Sequence, residues 1–396
     1  MPTSIGTSRT RPLNVLVKLN SLELGGTQLI ALDFALAAHE HGINTTLVGH
    51  HAPGPRQPST LVDLARERGL HIEVLQQPPG TANQGQIAEL SDLADRHDID
   101  LVHSYGSWEA RSAFLGPCRL GRRPLVMTVY EMWLPDVVYR LPQLIVGTRE
   151  LFEDLQDTRG NVSLISPPVD LLRDDGAAVD STGFARDLGI DEGNVLVVVV
   201  TRLDDHMKAF GVETAIRAFE RLGRRDANLV VVGTGGAEER LRAEGAAVNA
   251  RLGRAAVTFT GAMTDPRRAY AAADIVLGQG ASAARALSFA KPLVAYGELG
   301  WSETFTPENA QRQFRTSFWS PHPADQPETL LLDQLRPLLD RRDEREQLGT
   351  FGRSFAAANF GLAEMVGKLV SVYDAAMADY GMTPWLDDWH ALTEAR

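Results

Sequence analysis

The sequence predicts an α/β protein with two doubly wound parallel sheets facing a central cleft. Three observations predict it. Short apolar runs alternate with amphipathic helical patterns along most of the chain, which is how βαβ units read. The 396 residues are more than one ordinary core encloses. The alternation also breaks once, at a Pro-Pro followed by a Gly/Asp/Ser-rich stretch (162–183), and then restarts.

In order, "LNVLVKL" (13–19) reads as a buried strand and "TQLIALDFALAAHEHG" (27–42) as an amphipathic helix stopping at Gly42. "NTTLVGH", "HIEVLQ", "IDLVHSYG", "PLVMTVYE" and "QLIVGT" follow as strands. Helices "TLVDLARERGL" and "QIAELSDLADRHD" fall among them, and another starts near Glu150. After the break, "NVLVVVV", "ANLVVVGTGG", "AVTFTG", "IVLGQG" and "KPLVAYG" are strands, separated by helical patterns such as "GVETAIRAFERLG" and "SAARALSFA". The tail from about Phe351 reads as helix, with Trp385 and Trp389 expected to pack back onto the first half. The expected domains are 1–168, a linker 169–183, 184–360, and C-terminal helices 361–396 returning to the first domain.

Composition excludes several classes. A hydrophobic share of 44% with 23% charged residues describes a globular chain. A net charge of -12 disfavours nucleic acid, which needs clustered cations. The single cysteine, Cys118, rules out an internal disulfide and suits a cytoplasmic location. The start has no apolar signal core and no run reaches the ~20 residues of a membrane helix. "CRLGRRPL" (118–125) allows at most a peripheral membrane contact.

Ligands of such sheets sit beyond the carboxyl ends of the strands, so the loops there carry the functional reading. The first is "ELGGTQ", where Gly25, Gly26 and Thr27 open a helix. "TRLDDHMKAF" (201–210) places Arg202, Asp204, Asp205, His206 and Lys208 in one strand-to-helix turn. "GTGG" begins at Gly233, "TGAM" holds Gly261 and Met263, and "GQGASAAR" holds Gly278, Gly280, Ala281, Ser282 and Arg285. Glycine turns that feed helix N-termini bind phosphate through free N–H groups and the helix dipole. Arginine adds a planar fork and lysine a point charge. The GxGxxG, GxxxxGK[ST] and GxSxG patterns are absent, and no His/Cys/carboxylate group has metal-ligand spacing. Asp204 and Asp205 could hold Mg²⁺, cap the turn or face water.

These residues resemble the family 4 retaining glycosyltransferases, which use nucleotide sugars and have the GT-B fold of two Rossmann-like domains. "TRLDDHMKAFGVETAIRAF", "LVVVGTGGAEERL", "VTFTGAMTDPRRAYAAADIVL" and "RALSFAKPLVAYG" carry the resemblance in the second half, and "ELGGTQ" in the first. Actinobacterial members near natural-product or envelope pathways are the nearest impression. The resemblance implies a metal-independent hexosyl-type transfer with no cofactor beyond a UDP, dTDP or GDP sugar as co-substrate. Arg202 and Lys208 would meet the diphosphate as catalytic cations, and Gly25, Gly26 and Thr27 would approach from across the cleft. The glycine turns at Gly233, Gly261, Met263 and Gly280–Ser282 would line the nucleotide. Donors aimed at the leaving diphosphate are worth roughly 2.7–4 kcal/mol each.

Two departures from the family stand out. Arg285 occupies the place of the second Glu of the family's Glu-x7-Glu pair, where it could grip phosphate, and Glu298 or Glu303 could replace the lost acceptor. The V-H-x-H stretch reads "LVHSYGSW", keeping His103, a candidate catalytic residue and equally a satisfied core histidine, with Tyr105 at the second place. Tyr105, Trp108 and Glu131 are candidates for the acceptor pocket, a small molecule or a glycan. Two alternatives to transfer stay open: a GT-B nucleotide-sugar epimerase, and a catalytically silent GT-B protein that activates a partner.

Overall fold

The computed structural model describes residues 11–51, 61–77, 84–119, 121–135, 138–205 and 208–380. The chain divides into two compact units, Met1–Ser166 with Leu362–Arg396, and Pro167–Gly361. His206, Trp385 and Trp389 lie outside the described residues.

The first unit is built on seven strands: β1 (Leu13–Lys18), β2 (Ile43–Gly49), β3 (Ile72–Val74), β4 (Leu101–Tyr105), β5 (Leu125–Val129), β6 (Gln143–Val146) and β7 (Val162–Leu164). They pair in parallel in the order β3-β2-β1-β4-β5-β6-β7. Every residue of β4 and β5 is buried, as expected of central parallel strands with helices on both faces. On one face, Ile30 and Phe34 of helix Gly26–His39 share a core with Met365, Leu369 and Tyr373 of helix Leu362–Ala378. On the other, Leu90, Leu93, Phe114 and Cys118 pack on Leu16, Val102 and Met127. β7 falls inside the stretch that composition marked as the break between domains. Three half-buried residues are too short to show a period.

The second unit carries β8 (Val195–Val200), β9 (Ala227–Val232), β10 (Val257–Gly261), β11 (Ile275–Gly278), β12 (Leu293–Tyr296) and β13 (Ser302–Thr304). Their order is β10-β9-β8-β11-β12-β13, parallel except for the antiparallel edge strand β13. The apolar run "VLVVVV" is the central strand β8, flanked by β9 and β11. Helices Ala310–Arg315 and Pro327–Asp340 and strand β13 were not anticipated, and helix Arg342–Phe360 starts well before Phe351. Residues 169–183, set apart by composition as a linker, lie within this unit. Val169 is buried in its core beside Phe184 and Leu196, and its N–H donates to the Phe360 carbonyl at 2.8 Å. The Gly/Asp/Ser content reflects backbone turns closed by aspartate side chains, as at Asp170 and Asp175.

Both sheets reverse strand order once, at β1/β4 and at β8/β11. Such switch points open a crevice beyond the carboxyl ends of the strands, where open α/β sheets bind ligands.

Candidate functional site

At the β8/β11 switch point, the loop after β8 is laced to the loop after β9. Thr201 N–H donates to Val232 O at 3.0 Å, Leu203 N–H to Thr234 O at 2.9 Å, and Ala237 N–H to Leu203 O at 2.9 Å. This closeness dictates two glycines. A Cβ on Gly233 (φ +141) would lie 1.8 Å from Thr201 O, and one on Gly235 would lie 2.3 Å from Leu203 O. Gly261 (φ +78) accepts a 2.9 Å bond from Gly233 N–H, so three strand ends are held in register.

That frame presents Lys208 immediately before helix Ala209–Leu222. Its side chain is largely buried, and burial pulls its pKa down to about 8 against the opposing pull of Asp204. No carboxylate among the described residues lies within ion-pairing distance of it, although Asp204 and Glu298 act on it through space. Arg202 is exposed, with Asp204 at 3.8 Å, and Asp205 faces Arg240 at 3.7 Å. The two aspartates therefore point to different cations. Among the described residues, no group of three or more His, Cys, Asp or Glu could hold a metal ion.

Beyond β11, Gly280 (φ +54) turns the chain into helix Ala281–Ser288, donating to Ser317 O at 2.8 Å. Ser282 Oγ donates to Gln279 O at 2.9 Å and accepts from Gln279 N–H at 3.2 Å, so it closes the turn. Ala281 is exposed at the helix start, and half-buried Met263 packs on the core beneath. Arg285 corrects an expectation. Its Nε donates to Asp174 Oδ2 at 3.0 Å, and Asp174 is buried, so the guanidinium serves the core of the unit and is not held out for phosphate. The two candidate replacement carboxylates also separate. Glu303 is gripped by Arg312 at 2.6 and 2.7 Å and by Gln313 at 3.0 Å, whereas Glu298 follows β12 and faces Lys208.

In the first unit, Gly25 is the extended N-cap of helix Gly26–His39, covered by the Gln28 side chain, whose amide donates to Asn20 Oδ1 at 2.6 Å. Gly26 is exposed with open space at its Cβ position, and half-buried Thr27 follows it. The first-turn N–H groups there have no partner within the helix. His103 is wholly buried: Nδ1 bonds the Tyr373 hydroxyl at 2.8 Å and Nε2 bonds Thr128 Oγ1 at 2.7 Å. Burial lowers its pKa to about 3. With both nitrogens engaged and the ring neutral, His103 is a core residue with no nitrogen left for a substrate, which corrects its candidate catalytic role. Tyr105 is corrected likewise: it is 2% exposed and stacked on His103 at 4.6 Å, not open to an acceptor. Trp108 and Glu131 are exposed. In the basic stretch, Cys118 is buried and Arg123 is tied to Ile99 O and Asp95, both at 2.7 Å.

A hollow of about 610 Å³ opens at the amino ends of β8, β11 and β12, lined by Asn194, Asp274, Lys291 and Arg345. It lies at the wrong end of the sheet for a switch-point ligand, and Arg345 and Lys291 already bond to main-chain carbonyls.

Residues 194–317 match the family model described as Glycosyl transferases group 1. The fold is shared with a glycosyltransferase from Rickettsia africae, 14% identical, with a TM-score of 0.72 over 93% of this chain and 99% of that one. The Anabaena protein HepE, in complex with UDP and glucose, is 17% identical with a TM-score of 0.70 over 91% and 99%. The catalytic domain of starch synthase IV from Arabidopsis thaliana, bound to ADP and acarbose, is 13% identical with a TM-score of 0.66 over 93% and 100%. No curated protein matches the sequence. Domain match and fold together make this a glycosyltransferase of GT-B fold.

Three polar residues of this glycosyltransferase escaped the sequence reading. Gln279, 5% exposed, has its Nε2 buried without a hydrogen-bond partner among the described residues, right at the β11 turn. Its signal was its place between two glycines. Lys18, 1% exposed, ends β1, and burial draws its pKa down to about 8 while Glu109 opposes the shift. Its signal was a lone charge in an otherwise apolar strand. Glu109 has its pKa raised, by burial first and by Glu131 beside it, with Lys18 pulling the other way. Nothing in the sequence marked it. No helix of the described residues is long and apolar enough to cross a membrane.

Proposed function

We propose that this glycosyltransferase moves a sugar from a UDP, dTDP or GDP sugar to a hydroxyl acceptor, with retention at the anomeric carbon and without metal, in the manner of family 4. The observation that carries the reading is Lys208, a largely buried cation without an ion-pair partner among the described residues, at the carboxyl end of the central strand. A desolvated ammonium is costly unless an anion meets it. The diphosphate of a nucleotide sugar is that anion, and UDP occupies a protein of the same fold.

As the bond from C1 to the phosphate oxygen breaks, its electron pair goes to the phosphate and negative charge builds there. Lys208 and Arg202 face that charge, and the N–H groups opening helix Ala281–Ser288 add donors. Glu298, free among the described residues of the pairing that holds Glu303, would accept from donor hydroxyls. Cations do the neutralising that a divalent metal does in other transferases. The acceptor hydroxyl attacks C1 and its proton passes to the leaving phosphate.

The test is initial rate at saturating donor with EDTA present, the product anomer read by NMR and folding followed by circular dichroism. Lys208→Ala should remain folded and lose about 10²–10³-fold in turnover. Turnover within about threefold of wild type, well short of the tenfold that 1.36 kcal/mol gives, sinks the diphosphate assignment. Activity abolished by EDTA and restored by Mg²⁺ overturns metal independence. Nucleotide binding without any turnover supports the silent partner protein, and an epimerised sugar the epimerase.

A further inference from the structure

We propose that the acceptor is a carbohydrate without an anionic group, neutral or amine-bearing, held in the first unit by Trp108, Glu109, Glu131 and Lys18. The inference rests on the transfer reading above and specifies its acceptor.

The place is the β1/β4 switch point. After β4 the chain turns through Gly106 (φ +94), and the Glu109 carboxylate folds back over it. A Cβ on Gly106 would sit 2.5 Å from Glu109 Oε2 and 3.3 Å from Asn20 Cβ, so the carboxylate lies against the loop that follows β1. Lys18 ends β1 opposite Ser104 of β4. It is 99% buried and makes no hydrogen bond or ion pair among the described residues, yet it lies within the field of Glu109. Ser104 Oγ and Ser107 Oγ at the same strand end are also buried without hydrogen-bond partners among the described residues. Buried polar groups are nearly always satisfied, so unused donors gathered at a switch point mark a place where a ligand supplies the partner.

The surface around this point fits a sugar. Trp108 is 53% exposed after β4, and Trp133 is 64% exposed after the neighbouring β5, two residues beyond Glu131. Each indole stands beside a carboxylate in sequence, Trp108 next to Glu109 and Trp133 near Glu131. Aromatic faces cover the C–H face of a pyranose, carboxylates accept from its hydroxyls, and an ammonium donates to them. The charge decides the class. Glu109 and Glu131 act on each other. Lys18 acts on Glu109 from the end of β1, and burial lowers the pKa of neighbouring His50. Two carboxylates, Glu109 and Glu131, against one ammonium repel a phosphate or carboxylate and also an anionic lipid surface.

Saturation-transfer NMR on the full chain, with UDP saturating the donor site, tests this with methyl glucoside, methyl galactoside, glucosamine and glucuronate as probes. Transfer to the first three and not to glucuronate is expected. Trp108→Ala and Glu109→Gln should each weaken it about tenfold and leave UDP affinity within about twofold. Trp108 is exposed, so its loss does not endanger folding. Transfer to glucuronate above the neutral sugars, no transfer to any probe, or signals unchanged in both variants each overturns the proposal. So does Trp108-dependent binding to phosphatidylglycerol vesicles in place of sugar binding. UDP that fails to bind would count against the donor reading instead, which separates the two failures.

Discussion

Lys208 binds or releases its proton near neutral pH because the fold desolvates it. Its pKa drops from 10.5 to about 8, so below about pH 8 the folded protein carries a poorly solvated ammonium. Between the two values the unfolded chain holds a proton that the folded chain has released. Stability therefore rises as pH climbs through that window. A bound diphosphate works in the opposite direction and restores the proton. UDP affinity should be flat below about pH 7.5 and then weaken toward tenfold per pH unit above about 8. Calorimetry at about pH 8.5 in two buffers of different ionisation enthalpy should show net proton uptake on binding. Lys208→Arg, which does not titrate there, should remove the uptake, and Lys18→Met should keep it. Binding without proton exchange in the wild type would place the diphosphate elsewhere.

The helix Ala281–Ser288 shows how an element sets a residue's role. It turns Arg285 toward Asp174, which is 3% exposed, while leaving Ala281 and the first-turn N–H groups at the strand end. Removing the guanidinium strands a buried carboxylate. Arg285→Leu should cost about 3 kcal/mol, at the low end for a buried pair because the arginine remains a quarter exposed. Turnover of the folded fraction should stay within about twofold. Urea unfolding midpoints with parallel rate measurements decide it. A stable variant with collapsed turnover would restore Arg285 to the phosphate. The helix Leu362–Ala378 acts similarly in the first unit, where its Tyr373 occupies one nitrogen of His103.

Over the whole chain, each unit encloses its own cores, with Val15, Phe34 and Leu369 in one unit and Val197, Phe219 and Leu335 in the other. Two units with separate cores should unfold in two calorimetric transitions. UDP at a hundred times its Kd should raise the transition of the second unit by about 2.7 kcal/mol and leave the other in place. A single transition that moves as a whole with UDP would show instead that the two melt as one body.

The amino-acid sequence by itself determined most of the strands, their order along the chain and the loops at their carboxyl ends. Runs such as "VLVVVV" have no stable place except a sheet covered on both faces, and βαβ handedness sends every following turn to the same end of the sheet. Arg202, Lys208, Gly233 and Gly261 could therefore be assigned to one rim from the sequence. Short or edge elements such as β7 and β13 escaped, because a strand of three residues carries no period. What only the tertiary structure decided is who satisfies whom. Arg285 meets Asp174 across 111 positions, and His103 meets Tyr373 across 270. Periodicity reports which face of an element is buried, not which distant polar group arrives there. Desolvation makes that partner decisive: a buried charge or imidazole with one is structural, whereas Lys208 and Lys18 have none among the described residues.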